Sequence, residues 1–189
     1  MKGLSRMFVL CAVVCSALVT VGCAEHQEDI TVAETEGIYI DIGELKYQVQ
    51  NSRVLNPADP EDVDLLAGVP ETEAPSADET WFAVFVLVQN PTSDETLPTA
   101  EEFEIVDTLE TKYEPLEIER AENPWVYEPT TLGPGEELPG LNTAQYNSPV
   151  RGAMLLFKLT QESLQNRPLE LEVHSPQDPD QVGTVNLDV

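Results

Sequence analysis

Eight consecutive residues constrain this chain more than any others: Trp81-Phe82-Ala83-Val84-Phe85-Val86-Leu87-Val88 is apolar at every position. The run is far short of the ~20 residues that a membrane-crossing helix needs. Its aromatic and β-branched composition fits an extended strand. A strand with one wet face alternates polar and apolar side chains, so an unbroken apolar run predicts a central strand covered on both faces. Asn90-Pro91-Thr92 stops it, because proline has no N–H to continue a ladder.

Elsewhere the dominant period is two. Leu45, Tyr47 and Val49 alternate with Lys46, Gln48 and Gln50, and Leu169, Leu171 and Val173 with Glu170, Glu172 and His174. Val185, Leu187 and Val189 repeat the pattern at the end. Each reads as a half-buried strand. Gly152 to Leu159 is a second heavily apolar strand, and Phe103-Glu104-Ile105 with Tyr113 predicts a hairpin. No stretch carries a helical stripe, although Asp62 to Leu66 and Gln161 to Gln165 each suit a turn or two. The 15 prolines fall mainly between the runs. Short strands parted by Pro- and Gly-containing turns predict an all-β fold, an antiparallel immunoglobulin-like β-sandwich of about seven to nine strands. It is expected to occupy residues 38–189, and about 150 residues bury enough apolar surface to hold a core. One long acidic loop interrupts it, residues 56–79, with Pro57, Pro60, Pro70 and Pro75.

Residues 1–22 read as an export signal: Lys2 and Arg6, an uncharged and largely apolar run from Met7 to Val21, and a small-residue exit. Val19-Thr20-Val21-Gly22-Cys23 resembles the lipobox of bacterial lipoproteins, with Thr20 where that family favours Leu. The resemblance implies cleavage before Cys23, acylation of its sulfur, and a protein anchored on the outer face of the bacterial plasma membrane. Cleavage after Ala24 is the alternative, since Gly22 and Ala24 also make a small-x-small exit; the protein would then be secreted. Beyond Cys23, residues 24–37 are polar and acidic and read as a tether. A coil of that length reaches ~20 Å, or ~50 Å fully extended. Cys11 and Cys15 leave with the signal, so Cys23 remains alone and no intramolecular disulfide forms.

Charge excludes whole classes of partner. The net charge is −26, and loss of Lys2 and Arg6 with the signal takes it to −28. Such a surface repels phosphate backbones, so no nucleic-acid binding is expected. It also repels anionic lipid headgroups, which stands the domain off the bilayer.

The order of pieces resembles the telokin-like, immunoglobulin-like domains of bacterial surface lipoproteins, a family largely of unknown function. Four matches carry the resemblance: the strand Trp81 to Val88 leading into Gln89-Asn90-Pro91; Phe103-Glu104-Ile105-Val106-Asp107 followed by Tyr113; the turn Leu132-Gly133-Pro134-Gly135-Glu136; and Leu155-Leu156-Phe157. Gly135 after Pro134 suits a turn with positive φ. The hairpin after Asp107 lacks the glycine common in that family. The resemblance implies a fold and brings no catalytic residues.

Residue chemistry points away from catalysis. Nucleophilic catalysis needs an activated Ser or Cys with a base in reach, and the two histidines are His26 in the tether and His174 beside acids on a strand. There is no G-x-S-x-G elbow, P-loop or dinucleotide fingerprint. Scarce His and Cys argue against the usual zinc or copper site. Asp59, Glu61, Asp62 and Asp64 offer oxygen ligands for Ca²⁺, although the spacing departs from an EF-hand: Asp64 falls where the glycine belongs and Pro70 where the last Glu belongs. Trp125, Tyr127 and Tyr146 stand near prolines in segments that read as loop or edge strand and are the candidate partner contacts.

The expectation is a non-catalytic, lipid-anchored extracytoplasmic module without a cofactor, binding an envelope protein or polymer. The alternatives are a calcium-binding surface protein using the acidic loop and, further off, an envelope glycan hydrolase, which needs two carboxylates at a fixed separation.

Overall fold

The apolar run forms the middle of β4 (Glu79–Gln89), and both of its faces are covered. The computed structural model describes residues 29–187. The export signal, Cys23, His26 and Val189 lie outside the described residues.

The other strands are β1 (Val32–Ala33), β2 (Tyr39–Ile42), β3 (Leu45–Leu55), β5 (Leu97–Pro98), β6 (Phe103–Val106) and β7 (Lys112–Tyr113). They are followed by β8 (Thr131–Leu132), β9 (Glu137–Leu138), β10 (Ala153–Thr160), β11 (Leu169–His174) and β12 (Val182–Leu187). One sheet has the order β1-β12-β11-β6-β7 and the other β10-β4-β3-β2, with β9 also paired to β4; β5 and β8 form a small ribbon. The strand pairings are antiparallel except β1 with β12, and an isolated parallel bridge joins Val126 to Met154. The β-sandwich expectation holds. Seven strands of four residues or more fall in the expected range, and five two-residue rungs raise the total to 12. Rungs that short carry no readable period. The same reason explains why the chain joins the sheet at Val32, inside the stretch whose composition reads as tether.

Between the two sheets, Phe82, Val84, Val86 and Val88 of β4 meet Ile40, Ile42, Phe103, Ile105, Leu171 and Val185 in one core. Gly183 permits this approach, because a Cβ there would stand 2.2 Å from Ile42 Cδ1. The opposite face of β4 has its own core: Trp81, Ala83 and Phe85 pack with Leu55, Leu65, Val126, Met154 and Leu156. Its cover comes from irregular chain, chiefly residues 56–79 and 116–126. The acidic insertion is therefore a lid, folded into α1 (Pro60–Val63) and two single 3₁₀ turns. Asn123, fully buried, latches it by donating Nδ2 to Leu65 O (2.8 Å) and Ala67 O (3.0 Å).

A bulge at Gln50 changes what β3 presents. Val49 pairs with Val86 and Asn51 with Phe85, so one residue is left over and the faces exchange. Leu45, Tyr47 and Val49 point into the sandwich, whereas Leu55 points under the lid. Arg53, on the lid side too, meets Asp62 at 2.5 Å.

Two of the turns marked by proline meet in space. Asn90 donates Nδ2 to Leu132 O (2.8 Å), its N–H to Glu136 O (3.0 Å), and accepts from Gly135 N (3.0 Å). Gly135 has φ 71°, as its place after Pro134 requires.

Candidate functional site

A concavity of about 420 Å³ lies beside the edge of β10 that faces away from β4. Two segments are stitched to that edge. Leu116 N donates to Leu156 O (2.7 Å), while Tyr127 N donates to Met154 O (2.7 Å) and Met154 N to Trp125 O (2.8 Å). The groove opens between them. Its floor is Phe103, Tyr127 and Met154, and its rim carries Glu101, Glu117, Glu119 and Glu128, all exposed. The volume is that of a ligand-sized cleft.

The floor is rigid. The rings of Phe103 and Tyr127 meet edge to face, with centroids 4.9 Å apart and planes at 75°. Tyr127 Oη donates to Ala100 O at 2.8 Å. Burial, then the neighbouring Tyr47, holds the Tyr127 hydroxyl well above its ordinary pKa, so it stays a neutral donor. Arg120 is the one basic residue of the lining and is engaged: its Nη2 donates to Oε1 of buried Gln145 (3.3 Å). Gln145 in turn donates Nε2 to Val126 O (3.1 Å), which fixes the far wall.

Of the candidate contact residues, Tyr127 is in the groove floor. Trp125 is half-buried over the outer core and lines a separate depression of about 300 Å³ with Leu65, Phe85 and Val150. Tyr146 lies under the Arg151 guanidinium, 3.8 Å from its ring centroid. The three do not form one surface. Glu101, Glu117, Glu119 and Glu128 were not distinguishable from the other acids by type; the alternation Leu116-Glu117-Ile118-Glu119 is the one sequence signal for that wall.

The four calcium candidates do not converge either. Asp62 is buried and spends its oxygens on Arg53 Nη2 (2.5 Å) and Asn56 N (2.7 Å). Burial alone would raise its pKa, but Arg53 and Asn56 bring it below the usual carboxylate value. Asp59 caps α1 by accepting from Glu61 N (2.9 Å), and Glu61 and Asp64 border the depression beside Trp125. Among the described residues, the trio with metal-ligand spacing is Glu102, Glu104 and His174, on the outer face of the first sheet.

Among the described residues no helix is long and apolar enough to cross a membrane. Neither a protein-family model nor a curated protein matches the sequence. Among solved structures, the chain is similar to the YjhA protein from Bacillus subtilis, at 12% identity and TM-score 0.48 over 82% of this chain and 99% of that one. It is also similar to the YcdA protein of Bacillus subtilis, described as a candidate lipoprotein, at 15% identity and TM-score 0.45 over 82% of this chain and 39% of that one. A third, an uncharacterised β-sandwich protein from Clostridium difficile, has 10% identity and TM-score 0.44 over 82% of this chain and 95% of that one.

Proposed function

We propose that this chain is a non-catalytic extracytoplasmic lipoprotein, anchored through Cys23, whose groove receives a basic extended segment of another envelope protein. The composition of the groove carries the reading: four exposed carboxylates stand around a fixed aromatic floor. Lysine and arginine side chains are drawn to such a rim, and complementary charge chooses the partner and speeds its arrival. Tyr127, braced edge to face by buried Phe103, then offers apolar contact at little entropic cost. The lining holds no histidine, cysteine or serine, which favours binding over nucleophilic chemistry. Anchoring rests on the Val19-Thr20-Val21-Gly22-Cys23 sequence, since two or more buried acyl chains give stable attachment where one does not.

The test is photocrosslinking in the native cell, with the crosslinker replacing Glu117 or Glu128 and a control at exposed Leu109. A discrete adduct from the groove positions is expected, mapping to a basic peptide and lost when Glu101 and Glu119 are changed to Gln. No adduct, or one indifferent to those charges, refutes the groove reading. Intact mass of the mature protein tests the anchor separately. A chain beginning at Cys23 with a diacylglyceryl group supports it, and an unlipidated chain beginning at Glu25 replaces it with secretion.

A further inference from the structure

Strand register builds a square of ionisable side chains on the solvent face of the first sheet, away from the groove. Glu104 of β6 stands directly opposite Glu172 of β11. Two residues along, His174 comes opposite Glu102, whose carbonyl accepts its N–H at 3.2 Å. Like charges facing each other across a sheet repel, so Glu104 and Glu172 call for a cation. Lys112 of β7 supplies one, with Nζ at 2.6 Å from Glu104 and 3.2 Å from Glu172. Its side chain is 51% exposed, and surface pairs of this kind are weak.

His174 stands beside both glutamates without completing a hydrogen bond to either. Its Nε2 is shut off from solvent and has no hydrogen-bond partner. It stands 3.4 Å from Glu104 Oε2 and 3.8 Å from Glu172 Oε2, long for a hydrogen bond. These separations suit two ligands of a common ion: with bonds of ~2.1 Å, neighbouring ligands on tetrahedral zinc stand ~3.4 Å apart. One ligand atom each from Glu102, Glu104 and His174 lies within 4.8 Å of the others.

We propose that Glu102, Glu104 and His174 form a surface site for a divalent transition-metal ion of the zinc class, with the Lys112 ammonium as its competitor. Imidazole with carboxylates suits such ions, whereas Ca²⁺ and Mg²⁺ take oxygen ligands. The ion ties the start of β6 to the end of β11 with three protein ligands and leaves the fourth position to water or a partner's side chain. This site is independent of the groove.

Calorimetric titration of the full chain in detergent with Zn²⁺ tests the proposal, with Mg²⁺ as control. One saturable Zn²⁺ site per chain is expected, at least tenfold weaker in His174→Gln and severalfold tighter in Lys112→Gln. Melting of the same samples should rise with Zn²⁺ in the wild type and not in His174→Gln, since a ligand of the native state stabilises it by mass action. Absence of a saturable site in the wild type, equal affinity in His174→Gln, or no tightening in Lys112→Gln overturns it.

Discussion

Tyr47 and Tyr127 hold the two ends of a single residue: Ala100 N donates to Tyr47 Oη at 2.7 Å, and Ala100 O accepts from Tyr127 Oη at 2.8 Å. Tyr47 belongs to β3 and Tyr127 to the wall of the groove, while Ala100 precedes β6. The clamp thus joins the second sheet to the first through the groove floor. It satisfies a backbone pair that is completely buried.

Tyr47→Phe leaves the Ala100 N–H unpaired, which is expected to cost about 2 kcal/mol. It also changes the alkaline limb of stability. Burial, against the opposing bond to Ala100, pushes the Tyr47 hydroxyl up to about 12 from 10.0. The unfolded tyrosine ionises first, so this contribution is full below pH 10 and is lost as pH rises toward 12, by up to ~1.4 kcal/mol per pH unit. Thermal melts between pH 8 and 11 should show a lower starting Tm for the variant and a shallower fall. An unchanged slope would mean that Tyr47 does not govern the limb.

Asp107 is expected to contribute to the acid limb of stability. Burial alone would raise its pKa, but it is brought down to about 2 by bonds from Thr111 N, Ser163, Asn166 and Leu109 N. Its Oδ1 accepts from Leu109 and Thr111 (both 2.9 Å), which braces the β6–β7 hairpin, and Oδ2 takes Ser163 Oγ at 2.8 Å. A depressed carboxyl stabilises above its unfolded pKa and loses that stabilisation as pH falls through the folded value. Asp107→Asn should therefore cost on the order of 2 kcal/mol at pH 7 and little at pH 2, measured by urea unfolding at each pH.

Asn123→Ala removes the latch on the lid and strands the carbonyls of Leu65 and Ala67. The expected loss is about 2–3 kcal/mol. Local opening should come first, because the lid is irregular chain over a satellite core. Hydrogen exchange should accelerate across residues 60–70 and stay slow in β11. Uniform acceleration would contradict a separately opening lid.

Glu110 has φ 63° in the β6–β7 hairpin, where the sequence carries no glycine. A side chain in that region costs roughly 1–2 kcal/mol, part of which Gly returns through unfolded-state entropy. Glu110→Gly should raise stability by up to ~1 kcal/mol, and Glu110→Ala should not, in paired thermal melts.

Much of the sandwich was legible because alternation is a local property. Leu169, Leu171 and Val173 are buried as their spacing demands, and the unbroken run in β4 is covered twice. What covers it was not legible. The outer core uses Leu65, Val126 and Trp125 from segments without periodicity, held by buried Asn123, the Arg53–Asp62 pair and Gln145.

The sequence by itself determined the longer strands and most of the faces they bury, the main turns, and that the chain carries an export-like start and a strongly acidic surface. Tertiary structure decided the rest. The bulge at Gln50 turned Arg53 toward the lid, where it pairs with Asp62. Register set Glu104 against Glu172 and His174 against Glu102, and the edge of β10 gathered four scattered glutamates around one groove. The division has a physical cause: periodicity is written between neighbours two residues apart, whereas register, bulges and layer contacts arise between residues far apart in the chain.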